Sequence, residues 1–173
     1  MPVLISANPC FTEVTKQVKN KLESKLNNSQ VDIGNIELGP VYINQHPTLV
    51  NGVSKKTSAI VIALKYSKNN IGHVILEQVS EFNNKLYETH IEIKDVDYKN
   101  KGIGPLLYLT AVVLAHSWGF KLVSSASPSD QAKRIHDWFV MYGLSKKVNI
   151  TINTQNGPIS MGMRYQFEYD KIK

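Results

Sequence analysis

Nineteen consecutive residues, from Gly102 to Phe120, carry no formal charge. In a chain in which one residue in five is charged, a run of that kind belongs inside. Pro105 and Gly119 bracket about 14 residues of helix, which is roughly 21 Å at 1.5 Å per residue. The hydrocarbon core of a bilayer needs about 30 Å. His116 and Ser117 also weaken a membrane reading. The run therefore reads as a buried core helix.

What precedes this helix points to a ligand. A strand-like segment runs into Lys99-Asn100-Lys101-Gly102-Ile103-Gly104-Pro105, and the helix follows at once. A strand, a glycine turn and a helix start in that order make a site for an anion. The free N–H groups of the first helical turn point outward there, and the helix dipole favours negative charge. Lys99 and Lys101 oppose that dipole, each by about 0.3–1 kcal/mol. Two such cations make better sense where a phosphate arrives.

The rest of the composition narrows the setting. With 173 residues, 42% of them hydrophobic, the chain suits one domain spanning 1–173 with a sizeable core. Its one cysteine, Cys10, excludes an intramolecular disulfide and a Cys-rich zinc site, and no metal centre is expected. A reducing cytoplasm fits this cysteine usage. The start, MPVLISANPC, lacks the basic head and long apolar stretch of a signal peptide. A net charge of +6 favours anionic partners such as nucleic acid, a phosphorylated cofactor or an acidic protein. The charge is spread thinly, however. Lys16, Lys19, Lys21 and Lys25 share a segment with Glu13 and Glu23, and no Arg-rich run is interleaved with aromatics. A solvated basic surface accounts for it.

Along the chain, Asn8-Pro9 caps a first helix whose apolar face carries Phe11, Val14, Val18, Leu22 and Leu26. Residues 29–57 hold short apolar pieces broken by Gly34, Gly39-Pro40 and His46-Pro47, and read as short strands or a long loop. Strands are expected over Ser58–Tyr66, Ile71–Val79 and Leu86–Asp95, joined by short polar links into an antiparallel meander. The core helix spans Pro105–Trp118, ended by Gly119. A strand at Lys121–Ala126 leads to a helix capped by Ser127 or Ser129, with Ala132, Ile135, Phe139 and Tyr142 on its apolar face. Val148–Thr154 and Met163–Tyr169 close the chain as paired strands. The order is helix, antiparallel strands, then β-α-β-α-β-β, an α/β (α+β) domain with a mixed sheet.

A P-loop requires Gly-Lys-Ser/Thr at the helix start, but Pro105 and Leu106 follow Gly104. A dinucleotide fingerprint requires a third glycine, where Leu107 stands. Lys99-Asn100-Lys101-Gly102-Ile103-Gly104 instead resembles the pyrophosphate loop of the Gcn5-related N-acetyltransferase (GNAT) superfamily, with Lys99 in place of the usual Gln or Arg. The continuation Gly104-Pro105-Leu106-Leu107-Tyr108 is similar to a variant common among bacteriophage members. The Ser127–Leu144 segment resembles the family's cofactor-side helix. The specific likeness covers residues 91–144.

The resemblance implies a mostly antiparallel sheet flanked by helices, with strands splayed at the cofactor loop. It implies acetyl-coenzyme A (acetyl-CoA) as cofactor, held at its pyrophosphate by the backbone of Lys99, Asn100, Lys101, Gly102, Ile103 and Gly104. It places a strand bulge near Lys94-Asp95-Val96, where Asp95 and Val96 would meet the pantetheine arm. Alternation also lapses at Asp95-Val96, as a bulge would require. Ser129 falls where the family often has an Asn touching pantetheine, and a capping role explains it equally well.

The family's reaction is direct attack of an amine on the thioester in a ternary complex, with a base, a carbonyl-polarising N–H and sometimes an acid. His90 and Glu92 share one strand face, and either is a candidate base. The family's tyrosine acid falls at His136 here, and Tyr142 lies further along the same helix. The expected function is acetyl transfer to a primary amine of a small molecule or protein, by a monomer or homodimer in the cytoplasm, or the host cytoplasm for a phage protein. Two alternatives stand beside it. One is a catalytically silent domain of the same fold, and the other is a nucleic-acid binder using the loop for a backbone phosphate.

Overall fold

The computed structural model describes residues 3–4, 36–50, 53–66, 68–80, 83–93 and 103–168. The expected first helix and the bulge at Lys94-Asp95-Val96 lie outside them, as do Lys99, Asn100, Lys101 and Gly102. The described elements are β1 (Val3–Leu4), β2 (Ile36–Val50), β3 (Val53–Tyr66), β4 (Asn69–Ser80), β5 (Asn83–Ile93), α1 (Ile103–Ser117), β6 (Lys121–Ser124), α2 (Asp130–Met141), β7 (Ser145–Thr154) and β8 (Gly157–Phe167). The eight strands form one sheet in the order β1-β2-β3-β4-β5-β6-β8-β7. Every pairing is antiparallel except β5 with β6. The mixed, mostly antiparallel sheet and its meander over β3, β4 and β5 match the expectation.

Residues 29–57 depart from it. Ile36–Val50 is a single 15-residue strand, hairpinned to β3 from Ile36↔Tyr66 to Val50↔Val53. The residues that suggested breaks are absorbed locally. Gly39-Pro40 falls where the register shifts between Leu38 and Val41, and a bulge tolerates a proline that cannot donate. Pro47 pairs with Lys56 on β3, while β1 covers β2 only at Tyr42 and Ile43. Pro47 therefore sits on an otherwise free edge among the described residues.

Helix α1 starts two residues before Pro105, because proline in a first turn forfeits only an N–H that has no helical partner anyway. Both helices end alike. Gly119 (φ +78°) and Gly143 (φ +72°) take the left-handed conformation, with Phe120 N–H donating to Ala115 O and Leu144 N–H to Phe139 O, both at 2.8 Å. These are Schellman caps, where a side chain at the glycine would be strained.

The core lies under α1, which is buried nearly all round, as an uncharged helix must be. Leu107 and Ala111 (both 0% exposed) pack with Ile62, Leu64, Val74, Leu76 and Phe139. A smaller cluster of Leu86, Val123, Ile150 and Ile152 lies across the sheet. Neighbours Tyr87 and Leu122 belong to the first cluster, so strand alternation splits the two. On α2 the buried side chains are His136 and Phe139. Tyr142, expected on the apolar face, is instead the C-cap and 43% exposed, because the helix has already ended at Met141. No described helix is long and apolar enough to cross a membrane.

Candidate active site

The site begins where two strands stop pairing. β5 and β6 run parallel from Leu86↔Lys121 to Thr89↔Ser124, and no further. β5 continues to Ile93, while the chain after Ser124 turns off towards α2. The far edge of His90–Ile93 thus has no strand beside it among the described residues. In an antiparallel partner of β4, alternate residues send N–H and C=O to that edge, where they can meet an extended ligand. A cleft of about 680 Å³ opens there, lined by Thr89–Ile93, Gly104-Pro105, Tyr108, the Ser125–Ser129 turn and one face of α2 down to His136.

Both helices present their N-termini to this cleft, in different states. At α2 the Ser129 hydroxyl accepts the N–H of Ala132 at 3.2 Å, and Asp130 supplies first-turn negative charge. That start satisfies itself, so the capping role foreseen for Ser129 is present, and Ser129 also lines the cleft. α1 has no acidic residue in its first turn. An acid-free first turn leaves the positive end of the helix dipole unneutralised by its own side chains, as suits an anion. Gly104 brings this start close to its neighbours. A Cβ there would stand 2.8 Å from Ile135 Cδ1 and 3.3 Å from Ile91 Cδ1. Ile103 is buried in the core (1% exposed).

His90 and Glu92 share a face and both line the cleft, as alternation implied. His90 Nε2 lies 3.0 Å from Glu88 Oε1, and Arg164 Nη1 donates to Glu88 Oε2 at 2.6 Å. The hydrogen bond from His90, with help from Arg164, holds the Glu88 carboxyl below the usual range. The Glu88 contact in turn raises His90 above the ordinary imidazole value, against the opposing effect of burial. Glu92 is largely exposed (65%) and lies 3.3 Å from His73 Nε2.

His136 forms part of the cleft wall yet is 1% exposed. Its ring stacks on Tyr165 (centroids 5.0 Å, 13° between planes) and leans on Tyr108 at 4.8 Å. Burial lowers its pKa to about 4, so it is neutral at pH 7. Its Nδ1 has no hydrogen-bond partner among the described residues. Tyr142 is not among the cleft residues, and its ring packs on Trp138 at 4.7 Å.

Two residues of this neighbourhood escaped sequence reasoning. Glu88 stands in the same alternate-residue row as His90 and Glu92, and that row was the available signal. Arg164 comes from β8, 76 positions away, and nothing local marks it.

No protein-family model matches the chain, and no curated protein sequence matches it. Solved structures similar in chain path include AAC(6')-Ib in complex with ribostamycin and coenzyme A, with 15% identity and a TM-score of 0.45. The likeness covers 64% of this chain and 65% of that one, so the chain spans about two thirds of that protein's length.

Proposed function

We propose that the chain is a GNAT-type N-acyltransferase that uses acetyl-CoA and a primary amine. The observation that carries this reading is the cleft at the end of the β5–β6 pairing, with a helix start at its edge whose first turn holds no acidic residue. An open strand edge suits an extended amide-bearing arm, and the helix start suits a pyrophosphate. The sequence Lys99–Gly104 leading into that start is of the kind the superfamily uses there. Neither observation requires the other, and they fall at the same place.

When bound, acetyl-CoA supplies an electrophilic thioester carbonyl. His90 is the base in this reading, because it lines the cleft and its affinity for a proton is enhanced. Glu92, exposed beside it, draws the cationic amine towards the strand end. His136 remains neutral at working pH and acts as an aromatic wall carrying one N–H, rather than as an imidazolium acid. The acceptor is a small molecule or a protein amine.

Titration of coenzyme A against thermal stability tests the cofactor claim. A ligand at 100 times its Kd stabilises by about 2.7 kcal/mol, so the midpoint should rise by several degrees. Gly102→Glu should abolish that rise without lowering the ligand-free midpoint. No shift in the wild type at millimolar coenzyme A would remove the proposal.

A further inference from the structure

We propose that Glu88 and Arg164 are positioning residues that fix the tautomer of His90, leaving its Nδ1 as the basic atom offered to the acceptor amine. This deepens the acyl-transfer reading and rests on it for the identity of the reaction.

The argument starts from which atoms are already engaged. Glu88 lies between two partners and uses one carboxylate oxygen for each: Oε1 for His90 Nε2 at 3.0 Å, Oε2 for Arg164 Nη1 at 2.6 Å. An ionised carboxylate only accepts, so the proton on that edge of the imidazole belongs to Nε2. In the neutral ring Nδ1 then carries the lone pair. Arg164 is itself held. It is 6% exposed, its Nε donates to Met161 O at 3.1 Å, and Nη1 also reaches Ser124 O at 3.3 Å. Gly162, with φ +86°, lies with Met161 in the bulge of β8 between the Asn149↔Met163 and Thr151↔Ser160 pairs, two residues before Arg164. The guanidinium is thus anchored where the β5–β6 pairing ends, at Thr89↔Ser124.

The charges facing His90 favour its protonated form. Glu88 on its own strand and Glu77 across on β4 both attract the imidazolium, and Arg164 from β8 opposes it. Glu92 follows two residues along the same face, with His73 of β4 beside it. Glu77, Glu88 and His90 each place a ligating atom within 4.8 Å of the others, and Arg164 supplies the positive charge of that cluster. The ring is thereby a stronger base than a free imidazole and is oriented without rotational search.

In the step itself, the neutral amine nitrogen forms a C–N bond to the thioester carbonyl carbon and the C–S bond breaks. The surplus amine proton passes to His90 Nδ1 and from there to solvent. The departing thiolate takes a proton from water, so charge and atoms balance.

Nitrogen-detected NMR of His90 across pH, in wild type and Glu88→Gln, decides the positioning claim. The expected wild-type ring is protonated at Nε2 when neutral and titrates above the ordinary imidazole value. Glu88→Gln, nearly isosteric, should bring that titration down. A neutral wild-type ring protonated at Nδ1, or identical titrations in the two proteins, overturns the inference whatever the enzyme does. Thiol release from acetyl-CoA with a panel of spermidine, tyramine and lysine supplies the catalytic arm. The acid limb of kcat/KM should move to lower pH in Glu88→Gln, and kcat should fall by up to roughly 10²-fold. An unmoved limb in an active enzyme also overturns it. Absence of release by the wild type with every amine overturns the acyl-transfer reading, and with it the catalytic use of the dyad, leaving the NMR result to stand or fall separately.

Discussion

His136 is an ionisable ring packed among Tyr108, Tyr165 and Phe167. Burial lowers its pKa from 6.5 to about 4 in the folded protein. Well above pH 6.5 neither folded nor unfolded imidazole carries a proton, and the residue leaves stability unchanged with pH. Below that, the unfolded ring binds a proton and the folded ring does not, so stability falls as pH drops towards about 4. The full loss is about 3 kcal/mol by linkage, and about 2 kcal/mol of it should be gone at pH 5. Phenylalanine would keep the stacking and lack the titration. Urea unfolding of wild type and His136→Phe at pH 7 and pH 5 should therefore show the wild type losing more stability on acidification. His90 titrates in both proteins and cancels in the comparison. Parallel losses would mean that His136 is not held neutral. At this scale the sequence was a partial guide. Period-two alternation put His90 and Glu92 on one face. Burial of His136 had no such signal, because it lies beside the Ala132–Ile135–Phe139 stripe, and its aromatic surroundings come from α1 and β8.

Elements were legible where local chemistry dictates them. The Ser129 cap, the Gly119 and Gly143 ends and the polar links of the meander all reflect hydrogen bonds within a few residues. β2 was not legible, since Gly39-Pro40 and Pro47 look like breaks until the neighbouring strands show that a bulge and a free edge accommodate them. The candidate cleft borders the helix start that the order of strand, glycine turn and helix singled out, with Gly104 and Pro105 in its lining. The end of the β5–β6 pairing, which makes it a cleft, depends on where the four-residue strand Lys121–Ser124 stops, and nothing near β5 in sequence signals that. Two glycines test how tightly α1 is seated on the sheet. A Cβ on Gly72 would stand 2.9 Å from the backbone oxygen of Glu92 and 3.2 Å from Leu107 Cδ1. Backbone cannot yield as a side-chain tip can, so Gly72→Ala should cost about 1–3 kcal/mol through overpacking. Gly104→Ala meets mainly Ile135 Cδ1, the far end of a side chain, and gains helix propensity of about 1 kcal/mol over glycine. It should cost less than Gly72→Ala. Chemical denaturation of the two variants gives the order directly, and a reversed order would refute this account of helix seating.

At the scale of the described molecule, the β7–β8 hairpin joins the rest of the sheet through little strand pairing. Its register with β6 is the single pair Val123↔Gln166. Other contacts attach it: the small cluster of Leu86, Val123, Ile150 and Ile152, the bonds from Tyr165 N–H to Ser124 Oγ and from Tyr165 O–H to Asp137 Oδ1, and the ion pair from Arg164 to Glu88. Of these, the ion pair is the one that bears on His90, through Glu88. Removing one partner of a fully buried pair costs about 3–5 kcal/mol, mostly from the charge left behind. Glu88 is 22% exposed and retains His90, so Arg164→Leu should cost less, about 2–3 kcal/mol. With Glu88→Gln in the same chain, no carboxylate is stranded, and the double variant should be more stable than the sum of the single losses by about 1 kcal/mol or more. Hydrogen exchange should localise the damage. Amides of β7 and β8 should lose protection in Arg164→Leu, while those of the β2–β3 hairpin, held by their own thirteen register pairs, keep theirs. Uniform loss across the sheet would show that Arg164 supports the fold as a whole. Additive single losses would show that the pair is not a coupled unit. Either result would detach the hairpin from the orientation of His90, because that orientation depends on a guanidinium held by β8 pressing on a carboxylate of β5.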